Sequence, residues 1–305
     1  MNQQKSLQLS FDLSSNTKDS QFMKYETAIS ISEFVKSFPQ RKLGKEFDYL
    51  CQITETKEHE KQFFQDEKIQ HLNRYIDILP YKHTIVTSNI NEKFYINANY
   101  IKGIDNVEMK YIATQGPVPE SVNNFWHMIW TNEVGVIIML CKLEDHNFRQ
   151  CEKYWPDISD NYGPYQVKLQ KKEDLKGGLT LNEFIIKFEE QEKLIHHYQW
   201  NGWPDFGVVD KDSFFVIDLL ANIANKSIQE NKKTVVHCSA GIGRTGTLLS
   251  ICYIKQLLNQ KDQKISIFSI VRRLREQRAY MVQTEEQYEM VYRFTLWLIQ
   301  NLKYN

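Results

Sequence analysis

The chain has 305 residues with 38 Lys+Arg against 38 Asp+Glu, a formal net charge of zero and 42% hydrophobic residues, enough to bury one sizeable core. Zero net charge supplies no overall field for nucleic acid or an anionic membrane, so recognition of any polyanion has to be local. Aromatics at 13% argue against a disordered chain, and the longest apolar run, Val134 to Cys141, is far shorter than the roughly 20 residues of a membrane-spanning helix.

Neither terminus carries a signal-peptide core, a myristoylation glycine or a prenylation cysteine, which predicts a cytoplasmic or nuclear protein without membrane insertion. Five cysteines (Cys51, Cys141, Cys151, Cys238, Cys252) lack CxxC or His-x3-His spacing, so reduced thiols are expected rather than disulfides or a metal site.

Residues 1–28, rich in Ser, Asn and Gln, read as a mobile extension, leaving 29–305 as one folded domain. Helical signals follow at Ser32 to Phe38, stopped by Pro39, and around Phe47, Leu50 and Ile53, before a charged segment from Thr54 to Lys68. From Phe94 the pattern is that of strands: FYINANYI, YIATQG, the apolar GVIIMLC, then YQVKLQK, LTLNEFIIKF and KLIHHYQW between Gly-Pro and Gly-Gly turns. A further strand, Thr234 to His237, enters a Gly-rich turn and an apolar helix, TLLSICYIKQLLN. Ile267, Ile270, Val271 and Leu274 predict an amphipathic helix capped by Ser266, and Thr284 with Gln287 forms a capping-box pattern before the last helix. The Arg272, Arg273, Arg275, Arg278 cluster reads as a solvated face. Strands in the middle with helices on either side predict an α/β (α+β) single domain with a twisted mixed sheet flanked by helices.

The segment HCSAGIGRTG, His237 to Gly246, joins that strand to that helix. Its glycines permit close backbone approach, and the helix directs its first N–H groups into the loop. Amides from Ser239 through Ala240, Gly241, Ile242 and Gly243 to Arg244 would ring a phosphoryl group, with the Arg244 fork on two of its oxygens. A cysteine beside a helix N-terminus and a cation is expected to have its pKa lowered from about 8.5, making Cys238 a thiolate aimed at phosphorus. The plainer alternative is a core cysteine ending a strand. A leaving alkoxide or phenoxide needs a proton, and Trp203-Pro204-Asp205-Phe206-Gly207 reads as a lid carrying the acid Asp205, with Trp203 as its anchor; a surface turn with a solvated Asp is the alternative.

In order along the chain stand NRYIDILPY (73–81), FYINANYI (94–101), YIATQGPVPESVNNFWHMIW (111–130), GVIIMLCKLED (135–145), CEKYWP (151–156), GWPDFGV (202–208), VVHCSAGIGRTG (235–246) and REQRAYMVQTEEQY (275–288). With these motifs the chain resembles the classical, phosphotyrosine-specific protein tyrosine phosphatase family, as a catalytic domain of non-receptor type. The resemblance implies a metal-free, cofactor-free hydrolase of phosphotyrosine in proteins. In it Cys238 forms a cysteinyl-phosphate, Arg244 holds the phosphoryl oxygens, Asp205 serves as acid and then base, and Gln283 positions the water with Gln287 beside it. Thr245 would hydrogen-bond the thiolate, and His237 would shape the loop and help depress the cysteine pKa. Tyr75 would pack against the substrate ring and Asp77 would accept from substrate amides, with Trp203 and Phe206 from the lid. Asn97, Asn99, Tyr100 and Gln115 to Pro117 would tie loops behind the site, Phe125, Trp126 and Trp130 would be core, and Arg275 would brace the catalytic loop.

The expected partners are phosphotyrosine-containing proteins, not nucleic acid, and a monomer is the default. The alternatives in function are a dual-specificity or phosphoinositide phosphatase and a phosphotyrosine-binding pseudophosphatase. Four departures from the family pattern stand out: Ile76 where some members are basic, Tyr280 where some have Gly and a second pocket, Gln150 for a common Lys that neighbouring Arg149 would replace, and Val209 for a Pro, which would free the lid hinge.

Overall fold

The computed structural model describes residues 20–55, 67–88, 94–106, 108–205, 207–260 and 264–302. Helix α1 (Ser20–Glu26) and the short strand β1 (Ile29–Ser30) lead into α2 (Ile31–Ser37). Ser30 caps α2 by accepting from the Glu33 N–H, and Pro39 falls in a following 3-10 turn, where a missing N–H costs nothing. Helix α3 (Leu43–Ile53) buries Phe47 and Leu50 as its spacing requires, and α4 is one turn, Glu67–Gln70.

Strands β2 (Ala98–Lys102), β3 (Met109–Thr114) and β4 (Val134–Met139) follow, with α5 (Val122–Thr131) between β3 and β4. All six residues of β4 are buried, which a run of Val and Ile allows in a strand covered on both faces. A two-strand hairpin, β5 (Glu144–Asp145) and β6 (Phe148–Arg149), precedes a meander of β7 (Ser159–Tyr162), β8 (Tyr165–Leu175), β9 (Leu179–Phe188) and β10 (Gln191–Trp200). The remainder is α6 (Phe214–Gln229), β11 (Lys233–His237), α7 (Gly243–Leu258), β12 (Lys264–Ile265), α8 (Ile267–Arg275) and α9 (Glu285–Leu302).

The large sheet runs β2-β3-β11-β4-β10-β9-β8-β7, a mixed sheet as expected. Its centre, β3-β11-β4-β10, is parallel, and the outer pairs are antiparallel. The four parallel strands therefore end on one rim, at Thr114, His237, Met139 and Trp200. Loops beyond the carboxyl ends of such strands are where an open α/β sheet builds its sites. Phe125, Trp126 and Trp130 of α5 are core, as their motif implied.

Two expectations need correction. Residues 20–28, read as part of an extension, are instead fastened to the domain: Phe22 is buried edge-on to Phe268, and Glu26 takes two hydrogen bonds from Arg272 at 2.8 and 3.0 Å; residues 1–19 lie outside the described residues. The arginine cluster is not a solvated face, because Arg272, Arg275 and Arg278 are buried and only Arg273 is exposed. A second buried ionic group joins the N-terminal helices to α9. Glu46, 1% exposed, accepts from the hydroxyls of Tyr288 and Tyr292 and pairs with Arg41 at 3.1 Å.

Candidate active site

Strand β11 ends at His237, and the chain then turns through Cys238 to Ile242 into α7. Gly241 makes the turn possible with φ of +72°, where a Cβ would stand 2.0 Å from the Thr114 carbonyl oxygen. No side chain caps α7, so its first N–H groups remain available to an anion. The Cys238 Sγ accepts from the Gly241 N–H at 3.3 Å and from the Thr245 hydroxyl at 3.4 Å.

Four structures hold this loop from behind. Gly116 N–H donates to the Ser239 carbonyl at 2.8 Å, an approach so close that a Cβ on Gly116 would lie 2.8 Å from the Cys238 oxygen. Leu140 N–H donates to His237 O at 2.8 Å. Arg278 donates to the carbonyls of Gly241 (2.9 Å) and Ala240 (3.0 Å) and to the amide oxygens of Asn99 (2.7 Å) and Asn97 (2.9 Å). Burial pulls that guanidinium down to about 10, with Cys238 and Tyr95 pulling the other way, so it stays charged at neutral pH. Arg275, expected to brace the loop itself, instead binds the carbonyls of Met281 and Val282 in the neighbouring segment.

The fourth support is a directed chain. The Cys238 carbonyl can only accept, so His237 Nδ1–H donates to it (3.2 Å); His237 Nε2 then accepts from the Tyr154 hydroxyl (2.8 Å). Tyr154 in turn accepts from His197 Nε2–H (2.8 Å), and His197 Nδ1 accepts from Asn182 (3.2 Å). Burial, and next the electrostatic influence of His237, push His197 down to about 3, and burial raises the Tyr154 phenol well above its usual value, so His197 and Tyr154 stay neutral at pH 7. His237 was legible from its motif. Tyr154 stands in CEKYWP, but its partner His197 carries no local signal.

Above the loop lies a cavity of about 200 Å³ lined by Tyr75, Asp77, Asp205, Cys238, Ser239, Ala240, Gly243, Arg244, Gln283 and Gln287, with Ile78. The Tyr75 hydroxyl shares a hydrogen bond with Ser239 Oγ at 2.9 Å. Arg74, beside it, anchors the segment on the carbonyls of Gly116 (3.0 Å) and Pro117 (2.6 Å), while its own N–H donates to the Gln115 side chain at 2.9 Å. Gln287 Oε1 takes the Gln283 N–H at 3.0 Å, one residue short of the expected capping box, while the Gln287 N–H finds Thr284 Oγ1 at 3.2 Å. Of the expected substrate-binding residues, Trp203, Gly241 and Ile242 lie outside the cavity lining, and Phe206 falls outside the described residues. A larger cavity of about 440 Å³ between Val208 to Lys211 and α9 holds none of these groups.

Asp205 reaches the cavity from the loop after β10. Trp203 is buried edge-on to Trp200 and donates to Gly207 O at 3.1 Å, while Arg244 Nη1 donates to Trp203 O at 3.3 Å. Arg244 Nη2 donates to Asp205 Oδ1 at 2.6 Å. Burial lowers the Arg244 pKa, but facing Cys238, Cys141 and Asp205 outweigh it and raise the net value, so the cation is secure. Gln150 completes the group and Arg149 does not compensate for it, being exposed and paired with Glu152 at 3.0 Å. Val209 is buried, which ties down the hinge that the missing proline was expected to free. Tyr280 adopts φ of +61°, an uncommon backbone for a ring-bearing residue and one that glycine adopts without strain.

A thiol at the floor of an anion cradle, a guanidinium on its wall and a carboxyl on the facing loop make an arrangement suited to holding a phosphoryl group beside a nucleophile. Comparison with known proteins agrees. Residues 69–297 match the family model described as protein-tyrosine phosphatase. Tyrosine-protein phosphatase non-receptor type 18 of Mus musculus is 36% identical over 228 residues, 72% of this chain and 50% of that protein. Tyrosine-protein phosphatase non-receptor type 7 of Homo sapiens is 37% identical over 205 residues, 65% of this chain and 54% of that protein. The crystal structure of the catalytic domain of human protein tyrosine phosphatase non-receptor type 18 aligns with a TM-score of 0.78 at 30% identity, covering 86% of this chain and 98% of that one. The chain belongs to the protein-tyrosine phosphatase family. It spans about half the length of these curated relatives. Among the described residues no helix is long and apolar enough to cross a membrane.

Proposed function

We propose that this chain hydrolyses phosphotyrosine in proteins through a cysteinyl-phosphate. The observation that carries the reading is the convergence of Cys238, Arg244, Asp205, Gln283 and Tyr75 on one cavity of about 200 Å³. The Cys238 thiolate attacks phosphorus, the bond to the tyrosyl oxygen breaks, and Asp205 gives its proton to that oxygen. Water then attacks phosphorus, Asp205 takes the water's proton, and the thiolate leaves with its electron pair, stabilised by Thr245. Gln283, with Gln287, orients the water, and His237 fixes the loop. Amides of Ser239, Ala240 and Gly243, which line the cavity, hold the phosphoryl oxygens with Arg244, while the Gly241 N–H stays on Cys238 Sγ. A positioned acid of this kind contributes about 10²- to 10⁴-fold.

Tyr75 favours phosphotyrosine over phosphoserine, because an aromatic wall rewards a substrate ring by about 1 kcal/mol beyond area burial. Asp77, exposed at the rim, accepts from substrate backbone amides. A relative supports the substrate class: a solved structure holds PTPN18 in complex with HER2 phosphopeptides. The cysteines among the described residues are all free, which supports a reducing, cytoplasmic setting.

The test is hydrolysis of a phosphotyrosine peptide beside a phosphoserine peptide, with EDTA and reductant, by wild type, Cys238→Ser and Asp205→Ala. Turnover of phosphotyrosine alone, lost in Cys238→Ser and slowed in Asp205→Ala with binding retained, is the expected result. Binding by wild type without phosphate release would make the protein a reader and overturn the catalytic roles.

A further inference from the structure

Gln150 stands at the end of the β5–β6 hairpin, outside every role given above. Its N–H is fixed on Leu143 O at 2.8 Å and its residue is 4% exposed. Both ends of its side-chain amide are engaged: Oε1 accepts from Arg244 Nη2 at 2.8 Å, and Nε2 donates to Asp205 Oδ2 at 2.7 Å. Arginine only donates, so the amide oxygen has to face Arg244, which leaves the NH2 no direction but Asp205. The amide orientation thus follows from its partners. With Arg244 Nη2 also on Asp205 Oδ1 at 2.6 Å, the three side chains close a ring.

We infer that Gln150 is the positioning residue that decides which oxygen of Asp205 carries the catalytic proton. This rests on the phosphatase reading above. Oδ2 faces an amide N–H whose nitrogen has no proton affinity to share, and a hydrogen on Oδ2 would oppose that N–H. Oδ2 therefore remains an acceptor, and Oδ1 is the oxygen left to carry the proton once Arg244 turns from it to a phosphoryl group. In the structure Oδ1 accepts from Arg244. When a phosphoryl oxygen takes Nη2, Oδ1 is released into the cavity while Gln150 retains its partner, so the carboxyl stays over the leaving group. The Oδ1–H bond then breaks toward the phenolate oxygen as the P–O pair moves onto that oxygen and the Sγ–P bond forms. In the second step the same Oδ1 receives the proton from water. Gln150 acts only through Asp205 and touches no reacting atom.

Leaving-group dependence separates this role from a general structural one. An electron-poor nitrophenyl phosphate expels its phenolate without needing a proton, whereas tyrosine phosphate does not. In Gln150→Ala, kcat/KM, which reports cysteinyl-phosphate formation, should fall about 10- to 100-fold on a phosphotyrosine peptide and less than about threefold on the electron-poor substrate.

Charge at the same position gives a second readout that does not depend on the Ala variant folding. The titratable and charged groups that line the cavity with Asp205 are Arg244, Cys238, Tyr75 and Asp77, and Asp145 lies in the field of Arg244; all are unchanged by the substitution. Gln150→Lys favours the ionised acid and should move the alkaline limb of kcat/KM to lower pH, and Gln150→Glu should move it to higher pH. Equal losses on both substrates, or a limb that stays in place in both charged variants, overturns the inference while leaving the phosphatase reading intact. Absence of phosphotyrosine turnover in wild type overturns the reading and the inference with it.

Discussion

The phosphate cradle and the lid share one rim of the sheet, yet they are held by different means. In the cradle, Cys238, Ser239, Ile242, Arg244 and Thr245 are all buried, and the loop's carbonyls are taken from behind by Arg278, His237 and the Gly116 N–H. None of those donors faces the cavity, so substrate arrival disturbs none of them. The lid is anchored by buried Trp203 and, at its far end, by buried Val209, while Pro204 on it is exposed. Its grip on the cradle runs through Arg244, the group that the phosphoryl oxygens also claim, with Gln150 holding the other oxygen of Asp205. The nucleophile side is thus preorganised, while the acid side is placed through contacts that rearrange on binding.

Removing the largest support of the cradle should separate the two regions most sharply. Arg278→Met leaves two loop carbonyls and two asparagine oxygens without their donor, and about 3 to 5 kcal/mol of stability should be lost. The measurement is denaturant unfolding alongside turnover. A loss below about 1 kcal/mol would show that the cradle holds itself.

The histidine chain gives a pH-dependent version of the same experiment. His197 has a folded value of about 3 against about 6.5 unfolded, so the folded state binds fewer protons between those limits. Stability is fully present above pH 6.5 and falls as the pH drops toward 3, by up to about 1.4 kcal/mol per pH unit from this residue. His197→Gln should flatten that slope in unfolding measured from pH 7 to 4. The smallest effect belongs to the lid. Trp203→Phe keeps the ring but removes the donor to Gly207 O, and should lower kcat about three- to tenfold while moving stability by about 1 kcal/mol or less. A larger loss of stability than of turnover would mean that the lid is as firmly built as the cradle.

The parts of this fold that were legible are those where one residue type has one reason to be where it is. GVIIM is a buried strand, Gly241 a turn with positive φ, Ser266 a cap that accepts from Ser269 at 3.0 Å. Cys238, Arg244 and Asp205 were legible because strand, glycine loop and helix make a recognisable anion site and a proton donor is required opposite. What escaped depends on partners distant in sequence. Arg278 is charged, and periodicity sees the charge rather than the four oxygens around it. Helix α1 has one buried residue, Phe22, in a polar stretch, and its docking depends on an arginine 246 residues away. Gln150 is neutral, so its place between a guanidinium and a carboxylate is invisible without geometry.

Glu46 has a consequence for where the protein begins as a physical object. The family match starts at residue 69, after α2 and α3. Yet Tyr288 and Tyr292, inside the matched region, send their hydroxyls to Glu46, and their rings meet Phe47 and Phe34. A chain trimmed to residues 69–297 would leave these two phenols without their carboxylate acceptor. The cooperative melting unit is therefore longer than the catalytic signature, and the first two helices after α1 belong to the thermodynamics of the last one.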